Sequence, residues 1–154
     1  MVSINENAPI VAKLKIEINA DPETVWNILT DIEAWPKWNP DVKEAILQGE
    51  LKPGTQFKWK AGPGNIISVL QNIEPPNLIA WTGKTMGINA VDVFKIKPIN
   101  GKTVVEEEES WEGLISRVMH GRLQKILEKS LKSGLESLKA ESERLTAHKA
   151  GFHK

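Results

Sequence analysis

The sequence predicts an α+β fold: seven antiparallel strands in a meander, curled around one long C-terminal helix. Three observations carry this. Short runs of alternating apolar and polar residues recur from Val11 to Trp111, separated by glycine, proline and asparagine, the mark of strands joined by turns. Asn100-Gly101 stands between two such runs, the strongest short-range hairpin signal a sequence carries. After Gly113 the apolar period changes from two to three and four, which is helical.

Taken in order, residues 1–10 are polar, contain Pro9 and read as a flexible lead-in. Residues 11–18 alternate, with Ala12, Leu14, Ile16 and Ile18 on one side, and form the first strand. Asp21-Pro22 starts a helix, because aspartate caps free N–H groups and proline suits the first helical position. Val25, Trp26, Leu29 and Ile32 are its apolar stripe. Pro36 and Pro40 allow only a short second helix, which plants Trp35 and Trp38 as plugs at one end of a curved sheet.

Strands follow at 42–47, 55–61, 65–73 and 78–83, then the hairpin centred on Asn100-Gly101. The facing of 65–73 stays open, since Ile66, Ile67, Val69 and Leu70 fall on both sides. Apolar residues from Ile115 to Leu145 then recur at helical spacing, with an interruption near Gly121 and a loosening at Gly134. A helix of about 25 residues spans roughly 37 Å, enough to cross the sheet. The first strand is expected beside the last. One domain covers 11–147, and 148–154 is read as a frayed tail.

The bulk numbers suit this. A chain of 154 residues with 40% apolar residues and six tryptophans buries a substantial core. Twenty basic and twenty acidic residues cancel, so no global field favours nucleic acid or an anionic membrane. The absence of cysteine rules out disulfides and thiol chemistry. The first residues lack a basic end followed by an apolar run, so no signal peptide is read, and no run reaches the roughly 18 apolar residues of a membrane span. A cytoplasmic location is expected.

The hairpin fixes a register. A two-residue type I′ turn at Asn100-Gly101 sets Ile99 against Lys102 and Ile96 against Val105. Phe94 then faces Glu107, Asp92 faces Glu109 and Ala90 faces Trp111. The apolar members put this set on the buried face, so Asp92 and Glu109 meet inside the protein, where opposed like charges repel. Such a pair needs a counter-cation, a shared proton, water or a ligand. Arg117, His120, Arg122 and Lys125 are the candidate cations. Whichever face is inward, two of the four glutamates from Glu106 to Glu109 point in.

The order of elements, with its motifs, resembles the START-like (helix-grip, SRPBCC) superfamily, and most of all its polyketide cyclase/dehydrase-like group. The residues that carry the resemblance are Ala20-Asp-Pro-Glu-Thr-Val-Trp26, Asp31-Ile-Glu-Ala-Trp-Pro-Lys-Trp38 and Gly49-Glu-Leu-Lys-Pro-Gly54. They continue with Val69-Leu-Gln-Asn-Ile-Glu-Pro-Pro76, Ala80-Trp-Thr-Gly83 and Glu109-Ser-Trp-Glu-Gly-Leu114. The match runs from about residue 11 to 145. It implies an elongated apolar cavity between sheet and last helix, without identifying a reaction. Relatives of this group place a His-x-Phe pattern on the sixth strand. Here that histidine position is Asp92, while the glutamate of the Glu-x-aromatic-x-Gly pattern is kept as Glu109, which puts chemistry that relies on the histidine in doubt.

The candidate site follows. Asp92 and Glu109 are either a structural pair or acid/base groups; if they lie close together, one holds its proton above the ordinary range. Phe57, Trp59, Trp81, Met86, Phe94, Glu107, Trp111 and Met119 are the expected ligand-binding lining, each taken alone being also ordinary core. No ligand spacing supports a metal, and no cofactor is expected. Ser110 and Ser116 lack the spacing of a nucleophile triad. The expected function is binding, transport or sequestration of a small hydrophobic molecule. The alternatives are a cyclase/dehydratase that uses Asp92 and Glu109 as acid and base, and a chaperone-assisting or partner-binding domain.

Overall fold

In the computed structural model, residues 1–152 are described. Seven strands form one antiparallel sheet in the order β1-β7-β6-β5-β4-β3-β2. The strands are β1 (Ile10–Ile18), β2 (Val42–Leu47), β3 (Gln56–Ala61), β4 (Gly64–Glu74), β5 (Leu78–Thr85), β6 (Ile88–Ile99) and β7 (Lys102–Glu112). The first strand pairs beside the last. Between β1 and β2 lie α1 (Pro22–Thr30), a 3-10 turn at Ile32–Ala34 and α2 (Trp35–Trp38). After β7 come α3 (Leu114–Val118) and α4 (His120–Phe152). This is the helix-grip, START-like architecture, an α+β fold whose long last helix crosses the sheet.

Local chemistry accounts for the element ends. The Asp21 carboxylate accepts the Thr24 backbone N–H at 2.7 Å and so caps α1, with Pro22 in its first turn. The β6–β7 turn has Asn100 at φ +49° and Gly101 at φ +78°, the pair of left-handed residues a type I′ turn requires. Its register is the one the sequence predicts, from Ile99 opposite Lys102 to Ala90 opposite Trp111. Along β4 the pairing shifts between Leu70 and Asn72. That bulge breaks the period of two, which is why periodicity alone leaves this strand's facing open.

The core lies between the sheet, α1, α2 and α4. Trp35 sits at its centre with ring centroids 5.6 Å from Phe57, 5.5 Å from Trp59 and 5.6 Å from Trp81. Its indole N–H donates to the Leu29 carbonyl, so the one polar atom of the ring is satisfied while the ring is buried. Leu135 and Leu138 of α4 close the same cluster, and Leu127 and Leu131 pack with Ile10 and Ala12 further along.

Three expectations are corrected. The lead-in is held down: Ile4 packs with Leu78, Ala80 and Val93 on the face of the sheet turned away from α4. The Val2 N–H reaches Asn72 Oδ1 at 2.9 Å, and Asn5 bonds Ser110 and Glu112. One isoleucine in a polar stretch gives it a place to bury. The final helix is interrupted near Gly121 as expected, at Met119, with α3 and α4 on either side. It then runs unbroken through Gly134 to Phe152, so 33 residues make about 50 Å of helix. Nothing after His148 stops it before Gly151, and Lys149 in the last turn suits the partial negative charge there. The rest of the expected tail, 153–154, lies outside the described residues.

Candidate functional site

Strand pairing lays the site out in rows. One row across the face covered by α4 runs Ala12, Glu109, Asp92, Trp81, Leu70. The next runs Leu14, Glu107, Phe94, Ile79. Alternation along β7 brings Glu107 and Glu109 to the same face, two residues apart, and β6 sets Asp92 directly beside Glu109. Carboxylate oxygens of Asp92, Glu107 and Glu109 all lie within 4.8 Å of one another. The acid site is thus a cluster of three that includes Glu107.

These groups face a cavity of about 80 Å³. Its lining includes Trp35, Trp38, Trp59, Trp81 and Phe94 from the sheet and α2, the three acids, and Ser130, Gly134 and Leu138 from α4. Asn39, Asp41 and the exposed Ser130 mark its mouth. Asp92 and Glu107 are each only 6% exposed, and Glu109 is half-buried.

Charge in this chamber is one-sided. Among the described residues no lysine, arginine or histidine lines it. Among the described residues none makes an ion pair with the three acids; the candidate cations Arg117, His120, Arg122 and Lys125 do not reach them. Burial therefore raises all three carboxyls above the ordinary range. Asp92 is pushed well up, first by desolvation and then by the charges of Glu107 and Glu109. Glu107 is also pushed well up, by burial and by Glu109. Glu109 is raised by burial and partly relieved by the Trp111 indole N–H, which donates to its Oε2. Hydrogen bonding with Asp92 lowers both glutamates and raises Asp92, so the three carboxyls titrate together.

Two buried polar atoms beside this space have no hydrogen-bond partner among the described residues: Asp92 Oδ1 and Trp38 Nε1. One is an acceptor or acid and the other a donor, each on a residue that lines the cavity, and unpaired buried polar groups are costly. By contrast Trp59 Nε1 is satisfied by Ser68 Oγ at 3.1 Å.

The structure sorts the expected lining. Trp59, Trp81, Phe94 and Glu107 line the cavity with Asp92 and Glu109. Phe57 is fully buried behind it, 5.5 Å from Trp81 and 5.6 Å from Trp35, and is core. Trp111 packs with Leu123, Leu127 and Leu131 outside the cavity and touches the site only through Glu109. Met86 is 60% exposed in the β5–β6 turn and Met119 is 36% exposed at the α3–α4 break, so neither lines it. A flexible apolar side chain suits a ligand pocket in principle, but the turn and the helix break turn these two outward. Trp35, Trp38 and Gly134 were not among the expected lining. The two tryptophans carried a signal, as plugs at one end of the sheet; Gly134 carried none, being a helical glycine on a face the period does not mark.

A cation is what three carboxylates without a basic partner would hold best, and a hard metal ion bound by oxygen is one such guest. The lining offers few further oxygens, at Asn39, Asp41 and Ser130, and the rest of the wall is indole and aliphatic.

The sequence also matches a known family. The model of a family described as polyketide cyclase/dehydrase and lipid transport covers residues 9–143. No curated protein matches. Among solved structures, a hypothetical protein from Helicobacter pylori superposes with a TM-score of 0.81 at 15% identity, over 92% of this chain and 97% of that one. A START superfamily protein from Mycobacterium smegmatis gives 0.78 at 20% identity, over 88% and 98%. An aromatase/cyclase from Streptomyces gives 0.73 at 13% identity, over 87% and 93%. At these identities the likeness is one of fold.

Proposed function

The chain belongs to the polyketide cyclase/dehydrase and lipid-transport family, and from that premise we propose that it binds a small, largely apolar molecule in the cavity under α4. Trp35, Trp59, Trp81 and Phe94 hold the apolar body, and Asp92, Glu107 and Glu109 read its polar end. The observation that carries this reading is the buried Asp92 Oδ1, left without a partner at the edge of a tryptophan-walled space. A polar atom so placed serves no packing role that an apolar residue would not serve better.

The cavity is smaller than the roughly 300–1,000 Å³ of drug-sized sites. It takes a fragment, or the head of a longer molecule whose remainder leaves by the mouth at Asn39, Asp41 and Ser130. Carriage or sequestration of such a molecule is the simplest activity.

The test is native mass spectrometry of protein purified from its source host, alongside titration with a neutral hydrophobic dye read by tryptophan fluorescence. A retained organic molecule, or saturable dye binding that Trp59→Ala weakens, is the expected result. Absence of both contradicts the reading.

One observation favours a catalytic variant of the same site. A carboxyl raised above the ordinary range is a better general acid at higher pH, and burial raises Asp92 in that direction. In a cyclase or dehydratase it would donate to a departing or condensing oxygen while ionised Glu109 accepts a proton. Unchanged turnover of a candidate substrate in the Asp92→Asn/Glu109→Gln double variant contradicts that version and leaves binding intact.

A further inference from the structure

The polar end of the ligand can be given a charge. We infer that the cavity is built for an organic cation, a primary ammonium group with an apolar substituent, and this rests on the ligand-binding reading above.

Geometry is the first argument. Three oxygens no more than 4.8 Å apart have a common centre at most about 2.8 Å from each, which is the length of a charge-assisted N–H···O bond. A nitrogen seated at or just above that centre meets Asp92, Glu107 and Glu109 together. A primary ammonium has three N–H donors for three carboxylates, and its carbon substituent points away from them into the rest of the chamber.

What lies there is the second argument. Trp35, Trp38, Trp59, Trp81 and Phe94 line the space, with tryptophan the residue whose π-face attracts a cation most. The wall thus matches a body that is apolar and carries positive charge at one end. A hydrated metal ion would find carboxylates on one side and indoles on the others.

Charge balance is the third argument. No basic side chain lines the cavity or pairs with the acids among the described residues, and Asp92 Oδ1 is buried without a partner. A neutral ligand would leave the like charges of the cluster uncompensated, or leave them protonated. An ammonium compensates them and displaces a proton. The groups that face the cluster are few. Among the described residues Asp41 at the mouth is the one other titratable lining residue, α4 contributes Ser130, Gly134 and Leu138, and α1 and α2 contribute Leu29, Trp35 and Trp38.

The experiment uses the full chain and two probes of the same shape, tert-butylammonium and tert-butanol. Calorimetry at pH 7.5 in two buffers of different ionisation enthalpy gives affinity and proton release together. NMR of the indole N–H groups reports where each probe sits. The expected result is binding of tert-butylammonium at least about tenfold tighter than tert-butanol, with release of protons and shifts of the Trp38 and Trp59 indole signals. Asp92→Asn and, independently, Glu107→Gln should each remove that preference while the remaining indole signals stay in place.

Equal affinity for the two probes, or no binding of the ammonium, overturns the cation assignment. Tighter binding of Ca²⁺ or Mg²⁺ than of the ammonium, with the ammonium displaced, overturns it in favour of a metal. In each of these cases the neutral-dye titration decides separately whether the cavity binds ligands at all, so the two readings fall independently.

Discussion

In the unfolded chain Asp92, Glu107 and Glu109 ionise near pH 4; in the fold they hold protons to higher pH, Asp92 and Glu107 most strongly. Between those two conditions the native state binds more protons than the unfolded state, so stability falls as pH rises. The contribution is complete below about pH 4 and is lost progressively as pH climbs through the raised native values. Asp92→Asn keeps the shape and removes one buried ionisable group. It should stabilise the protein by about 1–3 kcal/mol at pH 8 and leave it nearly unchanged at pH 4, measured by urea denaturation across that range. Asp21 acts in the opposite direction, since the Thr24 backbone N–H holds its carboxyl low and that stability is lost on acidification. The difference between wild type and Asp92→Asn cancels this second effect and isolates the cluster. A variant that is less stable than wild type at pH 8 would mean that the cluster is a satisfied structural network.

At the scale of elements, two glycines make opposite predictions. Gly113 joins β7 to α3 at φ +115°, and a Cβ there would run into the Gly87 carbonyl oxygen. Gly113→Ala should therefore cost about 2–4 kcal/mol in thermal or chemical unfolding, since both the backbone region and the space exclude a side chain. Gly134 lies inside α4, and a Cβ would meet only Asn39 Nδ2 at 3.8 Å, an ordinary contact. Gly134→Ala should stabilise by about 0.5–1 kcal/mol through helix propensity, while it narrows the cavity mouth and slows dye binding. The same scale shows what the sequence made legible. The β6–β7 register followed from Asn100-Gly101 because a type I′ turn admits one pairing, and that register alone put Asp92 beside Glu109. Facing along β4 was not legible because the shift at Leu70/Asn72 hides in a run of apolar residues. Met86 and Met119 were misplaced because side-chain chemistry says nothing about which way a turn or a helix break points. Trp35 and Trp38 were recognisable as plugs, but their meeting with Trp59 and Trp81 depends on where α2 docks, a tertiary fact that no local pattern encodes.

For the whole molecule, the parts make one object. The sheet supplies two rows of inward residues, α2 plugs one end with indoles, and α4 closes the long side. On the face of the sheet turned from α4, the N-terminal residues cover the patch of Leu78, Ala80 and Val93 through Ile4. Among the described residues no helix is long and apolar enough to cross a membrane. The overall charge is balanced, yet the three acids lie together without a basic partner among the described residues. The central claim is that these carboxyls are buried against a cavity without a basic partner. Carbon-13 NMR titration of the side-chain carboxyls from pH 3 to 9 tests it most directly. The account predicts that Asp92 titrates well above the ordinary carboxylate range and that its curve is coupled to those of Glu107 and Glu109. Three independent midpoints near pH 4 would show the groups to be solvated and would contradict it.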